Sequence, residues 1–388
     1  VHGVRVLDFT RVLAGPWASQ HLADQGADVV KVEPPQGDET RAFAPHVNGR
    51  STYFASCNRN KRSVVLDLRT AAGREVAGRL ADKADVLLHN WRPGIDRELG
   101  LDAATTRARN PRLVHVSLSA FGGDGDEAWT SRAGYDLVLQ AMGGAMSFTG
   151  EPGSAPMRAG TPVADLAAGL VVTNAVLQGL LHRATTGEGQ ALGVSMMQVQ
   201  AASLVYHYSR YTVTGEAETQ RGNAHRGLVP YDVYPCADGH LALACGNDGL
   251  WQRLRAALAL PDEPTWRTNP GRVAARAAVD DAVRRALSAL PAAEADARLT
   301  AAGVPCGRVL GVGDVAGHPA VREVTFDDPQ LGRVRVPGPL VTTATTVTAH
   351  RPPPALGEHR DEVLRAAGYG DDAIEALAAA GVFGVSSP

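Results

Sequence analysis

An α/β fold is what the sequence predicts: a mostly parallel sheet covered by helices on both faces, followed by a smaller α+β domain. Three observations carry this. Through the first third of the 388 residues, short apolar runs rich in β-branched side chains alternate with segments of helical spacing, the pattern of repeated strand-helix-strand units. One long, nearly uninterrupted apolar segment, Leu166 to His182, then reads as a helix at the centre of the fold. Beyond the polar stretch from Gly215 to His225 the texture changes to a hairpin signal and short helices.

Taken in order, Val4 to Phe9 is a strand, Pro16 to Gln25 a helix closed by Gly26, and Asp28 to Glu33 a second strand ended by Pro34-Pro35. Arg62 to Leu68 is the next strand, Thr70 to Lys83 an amphipathic helix, Asp85 to Leu88 a strand, and Leu113 to Leu118 another. Sheets of this kind bind ligands beyond the carboxyl ends of their strands, which directs attention to the loops after Phe9, Leu88 and Leu118. The stretch from 119 to 160 is rich in glycine and polar residues; Thr185 to Gly189 stops the long helix, and Ala191 to Val194 is a strand. Tyr231 to Pro235 and Leu241 to Cys245 flank Asp238-Gly239, a hairpin turn signal, and helices are expected at Leu250 to Leu260 and Val273 to Leu290. Val334 to Val336 and Arg351 to Pro354 are extended connections, and Asp371 to Ala380 is a final helix.

Composition excludes several functions. With 38 Lys+Arg against 41 Asp+Glu, the chain lacks the basic excess of a nucleic-acid binder. No apolar run approaches the roughly 20 residues that span a bilayer, and Val1 to Arg5 has no signal-peptide layout, so neither a membrane nor a nucleic acid is expected as partner and a cytoplasmic location is. Cys57, Cys236, Cys245 and Cys306 are widely spaced, which fits reduced thiols better than a disulfide framework or a zinc site. No phosphate loop, nucleophile elbow or H-E-x-x-H motif is present, and the 12 histidines are scattered; no metal is expected. Glu33 ends the second strand where a ribose-binding acid would sit, but only Gly15 lies between Phe9 and the helix, so a dinucleotide loop lacks its glycines.

Asp165 stands immediately before the long apolar helix. One reading is an N-cap, accepting hydrogen bonds from the first free N–H groups. The other is a nucleophile, kept ionised with a low pKa by those groups and the helix dipole while apolar surroundings strip its water. Spacing alone does not choose between them.

A series of short motifs extends over most of the chain: Val6-Leu7-Asp8-Phe9-Thr10 with Ala14-Gly15-Pro16, Gly26 to Glu33, Asn60-Lys61-Arg62-Ser63, Ala84-Asp85-Val86, Asn90 with Pro93-Gly94, Asn110-Pro111-Arg112, Ala133-Gly134-Tyr135-Asp136, Gly187 to Gln190 and Leu356 to His359. In this order the chain resembles the class III CoA-transferases of the CaiB/BaiF, formyl-CoA transferase type. The resemblance implies a Rossmann-like large domain built from both chain ends, here 1–200 and 321–388, with a linker at 201–227 and a small domain at 228–320. It implies an interlocked homodimer, coenzyme A or acyl-CoA as a substrate with no permanently bound cofactor, and a carboxylic acid acceptor as the second partner. In that family the aspartate matching Asp165 attacks the thioester, and CoA passes through an aspartyl anhydride and an aspartyl-CoA thioester.

The same resemblance assigns Leu66, Asp67, Leu68 and Arg69 to the adenine, Asn90, Trp91 and Arg92 to the nucleotide, and Tyr135 with Arg132 to the pantetheine. An arginine expected after Pro-Gly is Glu98 here, with Arg97 beside it, and the arginine expected after Glu33 is replaced by Pro34; Arg11, Arg41 and Arg50 are the alternatives. Leu13 and Phe43 replace the glutamine and tryptophan of formyl/oxalyl enzymes, and Leu13, Ala14 and Phe43 are assigned to the substrate. The chain is more similar to the succinyl-CoA:glutarate (hydroxymethylglutarate) branch, as in Ser51-Thr52-Tyr53, Val229-Pro230-Tyr231 and Pro337-Gly338-Pro339. A dicarboxylate needs donors for its distal group, and His46, Arg50, His225 and Arg226 are the candidates. A 2-methylacyl-CoA racemase is the alternative activity; it needs an acid/base partner where this chain has Tyr135, and a phenol is poorly suited to removing an α-proton.

Overall fold

The computed structural model describes residues 1–123, 125–343 and 346–384. They form two compact units, one from Val1–Ala145, Ala159–Val213 and Arg322–Pro388, the other from Met146–Arg158 and Thr214–Val321.

The first unit is built on a six-stranded sheet of β1 (Arg5–Asp8), β2 (Asp28–Glu33), β3 (Arg62–Val65), β4 (Val86–His89), β5 (Val114–Ser119) and β6 (Ala191–Ser195). Their order is β3-β2-β1-β4-β5-β6, and every pairing is parallel. This is the doubly wound order whose direction reverses between β1 and β4. Strand alternation divides the core between two faces. Val6, Val29, Val86 and Val116 meet α1 (Ala14–Asp24) and α4 (Val163–Thr186) on one face. Leu7, Val30, Val64 and Leu87 meet α2 (Ala71–Lys83) on the other, where the helices Arg360–Ala366 and Asp371–Ala379 also pack. The C-terminal residues thus complete the core begun by the N-terminal ones. Between β5 and α4 lies the short α3 (Asp136–Met142).

Helix α4 corrects two expectations. It starts at Val163, three residues before the apolar run at Leu166, and only one face of it is buried, through Ala164, Ala168, Val172, Ala175 and Val176. Leu170, Val171, Leu177 and Leu181 are exposed. At 24 residues it is also long and apolar enough to cross a membrane by length and composition, although the sequence reading found no such run; here its buried face packs on α1 and the sheet. Helices Met196–Ser203 and Tyr206–Thr214 occupy positions where a linker from 201 was expected.

In the second unit β7 (Tyr231–Cys236), β8 (Gly239–Ala244) and β9 (Cys306–Arg308) form an antiparallel sheet. Gly239 pairs with Cys236, so the hairpin turn is Ala237-Asp238, one residue earlier than the Asp238-Gly239 signal. The single helix expected from Val273 to Leu290 is two, Asn269–Ala274 and Arg276–Ser288, broken at Ala275. Arg272 is buried there because three acceptors take its guanidinium: Val229 O at 2.7 Å, Trp266 O at 2.9 Å and Asp248 Oδ1 at 2.9 Å.

Candidate active site

A continuous cleft runs across the carboxyl ends of the parallel strands, where the strand order reverses. Three adjoining depressions make it up. The outer one, about 420 Å³, is lined by Leu66, Asp67, Leu68, Arg69, Trp91 and Glu98; the middle one, about 500 Å³, by Asn90, Trp91, Arg92, Arg132 and Tyr135. The inner one, about 100 Å³, ends on Leu13, Ala14, Tyr135 and Asp165. Arg11 lines all three.

The loop that carries Arg11 is fixed from beneath by buried charge. Val12 has φ 70°, a left-handed conformation that a β-branched residue rarely adopts, and its N–H points to both Asp38 carboxylate oxygens at 3.3 Å. Asp38 is paired with Lys31 at 2.8 Å, and the Lys31 ammonium also donates to Thr10 O at 2.8 Å. Burial opposes the charge on Lys31, but Asp38, Asp8 and Glu33 outweigh it and hold the ammonium above its usual range. Lys61 donates to Pro16 O and Asn58 Oδ1, both at 2.8 Å, and approaches Asp8 at 3.3 Å; burial pushes it down to about 8. From the β4 side, Asn90 accepts from Arg11 N at 3.0 Å and donates to Arg11 O at 2.9 Å. The Arg11 side chain therefore starts from a fixed backbone, and its guanidinium reaches Glu39 at 3.0 Å in the cleft wall.

Asp165 is the third residue of α4, not its N-cap, which is Pro162. The helix is capped instead by Asp136, the first residue of α3, whose Oδ1 accepts from Ala164 N at 2.9 Å and Asp165 N at 3.3 Å. The carboxylate of Asp165 has no side-chain hydrogen bond among the described residues. Its pKa is raised to about 7, first by burial and then by the Asp136 charge, opposite to the low value expected for a helix-start aspartate. Tyr53 feels the charge of Asp165 and is pushed up to about 12, chiefly by burial.

Other predicted residues divide by position. Trp91 serves both the core and the cleft: its ring lies 5.0 Å from Phe9 and stacks on buried, neutral His89 at 4.8 Å. Leu66 is a core residue whose edge reaches the cleft, while Asp67 and Arg69 hold each other through two bonds of 2.8 and 2.7 Å. Arg132 lies over Trp129 at 4.8 Å. Arg97 is exposed and outside the cleft lining, which Glu98 joins in its place. Of the alternative arginines, Arg41 is held by Glu33 through two bonds of 2.7 Å, and Arg50 is paired with Asp328 at 2.9 Å; only Arg11 lines the cleft. The Arg41 pair also removes Glu33 from any ribose-binding role.

Phe43 packs edge-on against Tyr53 at 5.4 Å, and His46 bonds Arg41 O at 3.2 Å; neither is among the residues lining the inner depression. In the second unit the His225 ring lies 5.2 Å from Tyr231, and Arg226 is paired with Glu218 at 3.3 Å, which spends the charge expected for a substrate carboxylate. Residues that sequence reasoning did not single out for this site are Asp136, Gln140, Tyr53, Ser119, Ala120 and Met196. Asp136 stood in view within Ala133 to Asp136, but nothing in spacing links it to a helix start 28 positions later, the separation of its bond to Ala164.

Comparison with known proteins identifies the family. The model of CoA-transferase family III matches residues 1–360. A succinate-glutarate CoA-transferase of Agrobacterium fabrum is 38% identical over 386 residues, spanning 93% of this chain and 94% of that protein. Succinyl-CoA:glutarate CoA-transferase of Mus musculus is 36% identical, covering 98% of this chain and 90% of its own. The crystal structure of a CaiB/BaiF family protein from Brucella suis superposes with a TM-score of 0.83 at 35% identity, covering 94% of this chain and 98% of that one. The chain belongs to CoA-transferase family III and is a CoA-transferase.

Proposed function

We propose that the enzyme moves CoA from succinyl-CoA, or another dicarboxyl-CoA, to a free carboxylic acid, with Asp165 as nucleophile. The observation that carries this is the position of Asp165: a half-buried carboxylate without side-chain partners at the inner end of a cleft whose outer end is flanked by Trp91, Leu68 and Arg11. The nucleotide lies toward the outer depression and the thioester at the inner one. An oxygen of Asp165 attacks the thioester carbonyl carbon, the C–S bond breaks, and CoA leaves as thiolate with an aspartyl-acyl anhydride behind it. The thiolate attacks the Asp165 carbonyl, releasing the donor acid and giving an aspartyl-CoA thioester. An incoming carboxylate then reverses the two steps, so Asp165 is restored and no proton is consumed. The names of the similar Agrobacterium and mouse proteins support a dicarboxylate pair.

Assembly as a homodimer belongs to the same reading, supported by the exposed Leu170, Leu177 and Leu181 of α4 and Tyr206, Tyr208 and Tyr211 that follow. Sedimentation at micromolar concentration reads it; a monomer there removes it.

The test of the mechanism is Asp165→Ala together with hydroxylamine trapping. Wild type incubated with succinyl-CoA yields a trappable acyl-enzyme; the variant yields none and loses exchange, while retaining CoA binding. Exchange near the wild-type rate in the variant removes Asp165 from the chemistry. Solvent deuterium at the α-carbon of a branched acyl-CoA, without transfer, would favour the racemase instead.

A further inference from the structure

The start of α4 has no donor left for its own aspartate. Val163 N is taken by Thr161 O at 2.8 Å and Leu166 N by Pro162 O at 3.0 Å. Ala164 N and Asp165 N are taken by Asp136 Oδ1 at 2.9 and 3.3 Å. A carboxylate in the first turn of a helix ordinarily folds back onto such groups, which stabilises it as an anion and blunts it as a nucleophile. Here a second carboxylate occupies two of them and backbone carbonyls the others.

Asp136 is itself held in place. Its Oδ2 accepts from Gln140 Nε2 at 2.6 Å, one turn along α3, and Gln140 Oε1 accepts from Ala159 N at 2.9 Å, ahead of α4. Both ends of the segment from 159 to 165 are thereby tied to α3, and Gln140 is buried.

We propose that Asp136, supported by Gln140, is a positioning residue of the transfer reaction: its carboxylate occupies the first-turn N–H groups of α4, so that the oxygens of Asp165 stay unbonded and directed into the cleft. The inference rests on Asp165 being the nucleophile. The titratable or charged groups facing Asp165 are Asp136, Tyr53 from the helix Thr52–Ser56, and Arg11 and Tyr135 across the inner depression. Burial raises the pKa of Asp165 most and the Asp136 charge adds to it, which makes the anion more basic and, once formed, more reactive toward a carbonyl carbon.

The test compares Asp136→Asn and Asp136→Ser with wild type in kcat/KM for succinyl-CoA as a function of pH, with glutarate as acceptor. Both variants remove the charge, and Asn keeps an acceptor for the two N–H groups. In both variants the acidic limb is expected to move to lower pH by roughly one unit, the scale set by a neighbouring like charge, with a fall of about threefold in plateau kcat as the anion loses basicity; Asp136→Ser, which also frees the two N–H groups, is expected to fall further than Asp136→Asn. The KM for CoA stays near its wild-type value. A limb that stays in place while activity falls at every pH, or failure of both variants to fold, assigns Asp136 a structural role and overturns the proposal. Asp165→Ala separates the two claims. If it retains exchange, the nucleophile reading fails; if it is dead while the Asp136 variants keep the wild-type limb, only the positioning role fails.

Discussion

Gly169 lies one turn after Asp165 on α4, where that helix packs tightly on α1. A Cβ at this position would stand 2.8 Å from Ala14 O and 2.9 Å from Trp17 Cε3, and Ala14 lines the same depression as Asp165. Gly169→Ala therefore acts between the two walls of the inner cleft. To restore ordinary contact α4 must retreat by roughly half an ångström, a strain of about 1–3 kcal/mol for an overpacked site. Replacing a mid-helix glycine returns about 1 kcal/mol, so the net loss of stability is about 0–2 kcal/mol. Activity should suffer more. A displacement of 1 Å in reacting groups costs on the order of a hundredfold in rate, so half that corresponds to about tenfold in kcat. The assay is chromatographic separation of the two CoA thioesters during exchange, paired with a urea midpoint for the same preparation. KM for CoA should hold, because Leu66, Leu68 and Trp91 pack on the opposite face of the sheet. Wild-type kcat in a folded Gly169→Ala enzyme would refute the argument that close helix packing sets the position of Asp165.

The remaining predictions concern charge. With Asp165 attacking as the anion, as proposed, and its carboxyl pushed up to about 7, kcat/KM for the acyl-CoA should fall about tenfold per unit as pH drops below that value and level off above it; a profile flat from about pH 5 to 8 contradicts this. The folded pKa is above the unfolded one, so this group's contribution to stability is complete at low pH and is lost as pH rises through about 7; Asp165→Asn should then raise the unfolding free energy at pH 8, on the order of 2 kcal/mol by denaturant titration, while ending exchange. Arg11→Ala should raise the acyl-CoA KM about tenfold with little change in the urea midpoint, as for the loss of one charge-assisted contact. Arg41→Ala should do the reverse, costing about 3 kcal/mol of stability by leaving buried Glu33 unpaired, and equal effects on KM from both would contradict the assignment.

What the sequence could show depended on the range of the interaction. Strands β1, β2 and β4 were legible because alternation along Val6-Leu7, Val29-Val30 and Val86-Leu87 reports two buried faces directly. The site's outline was legible for the same reason, since strand ends locate the loops. The environment of Asp165 was not: the N-cap reading and the low pKa expected of a nucleophile both assumed that the first-turn donors were free, and the residue that takes two of them, Asp136, sits on another helix. Charge was misleading in a similar way. Arg41, Arg50 and Arg226 look like anion-binding residues until Glu33, Asp328 and Glu218 are seen beside them. The extent of α4 was misjudged because an apolar helix with one uncovered face has the composition of one buried on all sides.

The doubly wound strand order raises a final question of why its first turn is not a dinucleotide loop. In such loops, glycines let a pyrophosphate approach the open N-terminus of the first helix. Here the only glycine, Gly15, is needed inside the protein: a Cβ there would fall 2.3 Å from Thr10 Cβ. Ala14, Gly15 and Pro16 are buried, and the start of α1 meets only the small inner depression, through Leu13 and Ala14. The chain then leaves the core through Val12 in a left-handed conformation held by Asp38, and presents Arg11 at the rim. Buried pairs such as Lys31–Asp38 and Lys61–Asp8 add little net stability after desolvation, but each fixes a backbone group whose position matters: Thr10 O, Val12 N and Pro16 O. Rigidity that glycine conformations and phosphate contacts supply in a dinucleotide fold comes here from buried lysines and carboxylates. In the proposed mechanism that substitution would leave the ligand's anionic part to a side chain at the rim and the inner end of the cleft to Asp165, which a phosphate-binding helix start beside it would have held as a weaker, more acidic anion.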